Sequence, residues 1–75
     1  MIEWLICTDD YGEEFRSSSL AEVYVEWRRL LEDDKAHSGI KREYTFFKCE
    51  PDGMIEHRTE VKIYRRGNRV YWKAI

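Results

Sequence analysis

The sequence predicts an α+β domain: one antiparallel β-sheet of four or five strands with a single helix packed on one face, in the order β-(β)-α-β-β-β. Three observations carry this. A capped stretch near the middle has apolar residues every three to four positions. Shorter runs on either side carry strand-forming apolar and aromatic residues in alternation. Gly-containing turn sequences separate those runs.

The first strand is expected over Ile2–Thr8. Ile2, Trp4 and Ile6 share one face, while Leu5 and Cys7 are apolar on the other, which suits a central strand. Asp9-Asp10-Tyr11-Gly12 reads as a turn, and Glu13–Ser17 as a short returning strand. Ser19-Leu20-Ala21-Glu22 matches a capping box, in which hydroxyl and carboxylate satisfy orphan amides reciprocally. Leu20, Val23, Tyr24, Trp27, Leu30 and Leu31 then form one helical stripe, and Gly39 is a natural stop, so the helix spans about Leu20–His37. A meander follows: Ile40–Cys49, a hairpin turn at Pro51-Asp52-Gly53, Met54–Arg65, a tight turn at Gly67-Asn68, and Arg69–Ile75.

At 75 residues the chain is expected to form a single domain over 1–75, near the lower limit for a core without staples. Aromatics make up 15% of it, including three Trp, and these compensate by burying large areas per residue. No apolar run approaches the ~20 residues of a membrane span, so no membrane is expected as a partner. Met1-Ile2-Glu3-Trp4 lacks the marks of a signal peptide, and a cytoplasmic location is the expectation. Cys7 and Cys49 fit it as reduced, buried small hydrophobes. The net charge of −2 is unevenly placed. Residues 1–37 carry ten acids against four bases, and residues 38–75 five acids against nine bases.

One helix covers only one sheet face, so the other is solvated, paired or used. A two-residue loop at Gly67-Asn68 sets Ile63 opposite Trp72 and Val61 opposite Ala74, facing the helix with Ile55 and Val70. Tyr64 then pairs with Tyr71, and Lys62 with Lys73, on the open face. A three-residue loop at Pro51-Asp52-Gly53 adds Arg42, Tyr44, Phe46 and Arg58 to that face; a bulge near Phe46-Phe47 would flip part of the strand. The predicted binding surface is therefore Arg42, Tyr44, Phe46, Arg58, Lys62, Tyr64, Tyr71 and Lys73, with Arg65 and Arg66 at the edge near the tip. Lys62 opposite Lys73 is an unfavourable cross-strand pair, and an exposed aromatic group of this size marks interaction sites. A second candidate is an acidic patch of Glu32, Asp33 and Asp34 at the helix end with Asp9 and Asp10. Against both stands plain solvated surface, with Glu43, Glu56 and Glu60 neutralising the bases diagonally and Arg28, Arg29 and Lys35 neutralising the acids.

No catalytic residue is nominated. Cys7, His37, Cys49 and His57 lack metal-site spacing, and no metal or other cofactor is expected. A diagonal Cys49–His57 pair on the helix side would be a buried contact, and Glu22 with Glu26 reads as solubilising charge. The expected function is a small non-enzymatic protein-binding module. A stand-alone inhibitor or adaptor of the kind small phage and mobile-element genes encode, acting by steric blocking, is one version. The alternative is nucleic-acid binding through the aromatic and basic face. The acidic total opposes it unless the acids face away. A second alternative is a homodimer or larger homo-oligomer through that face or the sheet edges.

Overall fold

A computed structural model describes residues 1–9, 12–37 and 41–75. The elements are β1 (Glu3–Thr8), β2 (Gly12–Ser17), α1 (Leu20–Ala36), β3 (Tyr44–Asp52), β4 (Ile55–Arg66) and β5 (Arg69–Ala74). All five strands form one antiparallel sheet in the order β2-β1-β3-β4-β5, with the helix on one face. The fold is the predicted α+β class, and Gly12–Ser17 is a true strand.

β1 lies between β2 and β3, as its two apolar faces require. Leu5 and Ile6 point to opposite faces, and both are fully buried. The β1–β2 register shifts between Ile6 and Cys7, so the bulge falls here rather than at Phe46-Phe47.

Half of the expected capping box forms. Ser19 Oγ accepts from the Glu22 amide at 3.3 Å. The Glu22 carboxylate instead accepts from Ser17 Oγ at 2.7 Å, and Ser17 Oγ accepts from the Ser19 amide at 3.0 Å. Three polar groups therefore satisfy the helix start in place of two. At the other end the His37 amide reaches the Asp33 carbonyl at 3.2 Å. Gly39, the expected stop, lies outside the described residues.

The core between helix and sheet is built from Ile6, Val23, Leu30, Phe46, Val61 and Ile63. Trp27 sets its ring edge-on against Phe46 at 5.3 Å and against Tyr24 at 5.6 Å, the geometry that ring quadrupoles favour.

The β4–β5 register matches expectation: Ile63 opposes Trp72, Tyr64 opposes Tyr71, and Lys62 opposes Lys73. The β3–β4 register does not. Asp52 pairs with Ile55, so the loop is the two residues Gly53-Met54, with Gly53 at φ 65°. Pro51 and Asp52 belong to the strand. Pro51 tolerates this because it forms the wide pair with Glu56, and its missing amide points past the end of β1, which reaches only Cys49. The expected three-residue loop would place Phe46 beside Arg58; here it opposes Val61. That change of parity turns Tyr44 and Phe46 from the open face to the helix face. The start of β3 also moves, from the expected Ile40 to Tyr44; Ile40 itself is outside the described residues.

Candidate binding surface

The sheet face away from the helix divides into two unlike halves. Over β1 and β3 it is closed. Arg16 on β2 reaches across both strands to Glu56 on β4, with N–O distances of 2.5 and 3.3 Å. The same guanidinium donates to Glu13 at 2.9 Å and Glu3 at 3.5 Å. Arg58 donates to Glu56 at 2.8 Å and lies 3.9 Å from Glu13. Strands with two others between them can be bridged like this only if the sheet curls inward. Beneath the clasp, Leu5 is 0% exposed and Cys49 1% exposed, although no helix covers them. The two guanidinium groups hold the Glu56 carboxyl down at about 2. Burial raises the thiols of Cys7 and Cys49, so both are protonated and poorly nucleophilic at neutral pH. Neither is in a disulfide. Cys49 opposes Arg58 while His57 opposes Glu50, so cysteine and histidine face opposite sides of the sheet and the expected Cys–His diagonal does not form.

Three of the eight residues predicted for the open face are therefore elsewhere. Phe46 is in the core. Tyr44 donates its hydroxyl to Asp34 at 2.5 Å, and burial together with that carboxylate pushes its phenol up to about 12. Arg42 lies 3.7 Å from Asp34 and 3.8 Å from Glu14 on the helix side. Arg58 is on the predicted face but is committed to the clasp. The acidic patch is likewise taken apart. Asp34 is buried and serves Tyr44 and Arg42. Glu32 lies 3.7 Å from Lys35, and Asp33 3.9 Å from His37. Asp9 is exposed, and Asp10 is outside the described residues.

The other half, over β4 and β5, stays open. Tyr64 and Tyr71 stack with centroids 5.7 Å apart and planes at 25°. Lys62 and Lys73 oppose each other on one side of this pair; Arg66 and Arg69 oppose each other on the other side. Strand alternation puts all six on the outer face. Among the described residues none of the four cations has an ion-pair partner. Glu60, two residues before Lys62 on the same face, is the nearest acid along β4 and pairs with none of them. Lys62, Tyr64, Arg66 and Lys73 line a shallow depression of about 370 Å³ with Ile63.

Arg69 was not nominated from the sequence, and Arg66 was placed only at the edge. A signal for both was available: Lys62-x-Tyr64-x-Arg66 and Arg69-x-Tyr71-x-Lys73 are mirror images about the Gly67-Asn68 turn. Period-two spacing puts each triplet on one face, and the turn sets like against like.

Comparison with known proteins gave no matching family model, no matching curated protein and no matching solved structure. Among the described residues, no group of three or more His, Cys, Asp or Glu side chains is placed to hold a metal, and no helix is long and apolar enough to cross a membrane.

Proposed function

We propose that the protein is a small non-enzymatic binding module that acts by occupying an acidic surface of a larger macromolecule. Its contact surface is the outer face of the β4–β5 ribbon. One observation carries this reading: two like-charged cross-strand pairs face each other with no acid among the described residues paired to them, on a sheet half that the helix does not cover. Each such pair weakens the hairpin. A negatively charged partner reverses that penalty, because every cation then gains a counter-charge.

Segment 61–75 contains Lys62, Arg65, Arg66, Arg69 and Lys73 and no acid, in a protein of net charge −2. The helix acids Glu22, Glu26, Glu32 and Asp33 lie behind the sheet, so they do not oppose an anionic partner at the ribbon. An inhibitor or adaptor that blocks its target sterically is the version of this activity that suits so small a chain.

Heparin affinity chromatography at low salt tests the reading. The wild-type protein is expected to be retained despite its net negative charge, and Lys62→Glu/Lys73→Glu is expected to flow through. Arg28→Glu/Lys41→Glu, with the same change in total charge away from the ribbon, is expected to remain bound. No retention of the wild type, or equal loss in both double variants, refutes the ribbon as the contact surface.

A further inference from the structure

We propose that the ribbon's partner is single-stranded nucleic acid, held by base stacking on the Tyr64–Tyr71 pair and by phosphate contacts at the flanking cations. The inference rests on the reading of the ribbon as a contact surface and names its occupant. Charge complementarity alone is satisfied equally by an acidic protein. The arrangement of rings and charges along each strand is what selects the occupant.

On β5 the outer-face order is Arg69, Tyr71, Lys73; on β4 it is Lys62, Tyr64, Arg66. Neighbours on one face of a strand are ~6.6 Å apart, so each ring has one cation on either side along its strand. A nucleotide chain presents the same alternation of flat, apolar base and flanking phosphate. An acidic protein surface offers carboxylates but no regular flat groups between them. The two rings are already stacked, and they are 37% and 39% exposed, so a base can continue the stack without either ring being uncovered first. β5 is an edge strand, so no further strand lies beyond Tyr71 to block a base there.

Duplex DNA or RNA fits less well. Its bases are stacked on each other and closed to rings from outside, leaving only the phosphates for this surface. The preference for single strands therefore depends on the tyrosines, and overall affinity on the cations. Stacking on a ring is sequence-tolerant, so the base identity matters little.

Fluorescence anisotropy with labelled 20-nucleotide single-stranded DNA and RNA, the matching duplexes, and a labelled poly-glutamate peptide tests this. With four phosphates neutralised, single-strand affinity should fall with a log–log salt slope of about −3, or about 50-fold from 50 to 200 mM salt. Lys62→Glu/Lys73→Glu should at least halve that slope. Tyr71→Leu, which keeps apolar bulk and removes the ring, should weaken single-strand binding by roughly 5- to 150-fold while leaving heparin retention unchanged. Thermal melts of each variant separate lost binding from lost folding, and Tyr71→Phe should retain the single-strand affinity. Duplex bound as tightly as single strand, or no effect of Tyr71→Leu, overturns the stacking role. Absence of nucleic-acid binding with retained heparin and poly-glutamate binding overturns this inference and leaves the ribbon as a site for an acidic protein. Failure of heparin retention removes both.

Discussion

Leu5→Ala tests whether the sheet face without a helix is closed over β1. Leu5 points away from α1, between Arg16 and Phe47 on the flanking strands, and it is 0% exposed. If that face were open, truncating Leu5 would cost little. Because it is closed, the change removes about three buried carbon groups, at about 0.8 kcal/mol each, and adds a cavity term; about 3 kcal/mol is expected. For a chain of this size, total stability is of the order of 4–11 kcal/mol, so the variant should still fold. Urea unfolding followed by Trp fluorescence reads the loss directly. With a slope near 1 kcal/mol/M, the midpoint should fall by about 3 M. A thermal melt should fall by about 12–24 °C. Ile75→Ala, at a residue 71% exposed, is the control and should stay within about 0.5 kcal/mol of wild type. A Leu5→Ala variant as stable as that control refutes the closed face, and with it the account of the clasp.

Two further predictions concern titration. Glu56 is held at about 2 in the folded protein against an ordinary value of 4.5, so its stabilising contribution is fully present above pH 4.5 and is lost as pH falls towards 2. An NMR titration of its side-chain carboxyl should show the low midpoint in wild type and a return towards 4.5 in Arg16→Met; an ordinary midpoint in wild type contradicts the clasp. Tyr44 runs the other way: its phenol rises from 10 to about 12, so the associated stability is present below pH 10 and is lost as pH rises through 12. Tyr44→Phe should flatten the stability profile between pH 10 and 12. It should also cost roughly 1–3 kcal/mol at pH 7, because buried Asp34 loses a donor. A neutral substitution would place the Tyr44 hydroxyl in solvent.

Each element that depends on local pattern was legible in the chain. The Ser19 cap with the stripe from Leu20 to Leu31 specifies the helix, because helical periodicity is written over about three turns. Gly67-Asn68 between two strand runs specifies the β4–β5 hairpin, and so the opposition of Lys62 to Lys73 and of Tyr64 to Tyr71. Those four residues are the part of the predicted site that the structure brings together. Apolar residues on both faces of β1 marked it as internal before its neighbours were known.

Two decisions were not local. Pro51-Asp52-Gly53 is compatible with a three-residue loop closed by Glu50 and Met54 or with the two-residue loop Gly53-Met54. The partner of each β3 residue then shifts by three positions, from Arg58 to Val61 for Phe46, and this odd shift reverses every side chain of β3. The contact between Phe46 and Trp27, some 19 positions apart, favours the register that buries that ring. The same holds for charge. Arg16, Arg42 and Asp34 look free in the sequence because the partners Glu56, Glu14 and Tyr44 are distant from them along it. Only the curl of the sheet and the packing of the helix bring those partners within a few ångströms. The sequence by itself determined the fold class, the helix and the paired cations of the last hairpin, all set by short-range periodicity and turn chemistry. The tertiary structure alone decided which face each β3 residue takes and which charges are left without a counter-charge, because both depend on contacts between distant segments.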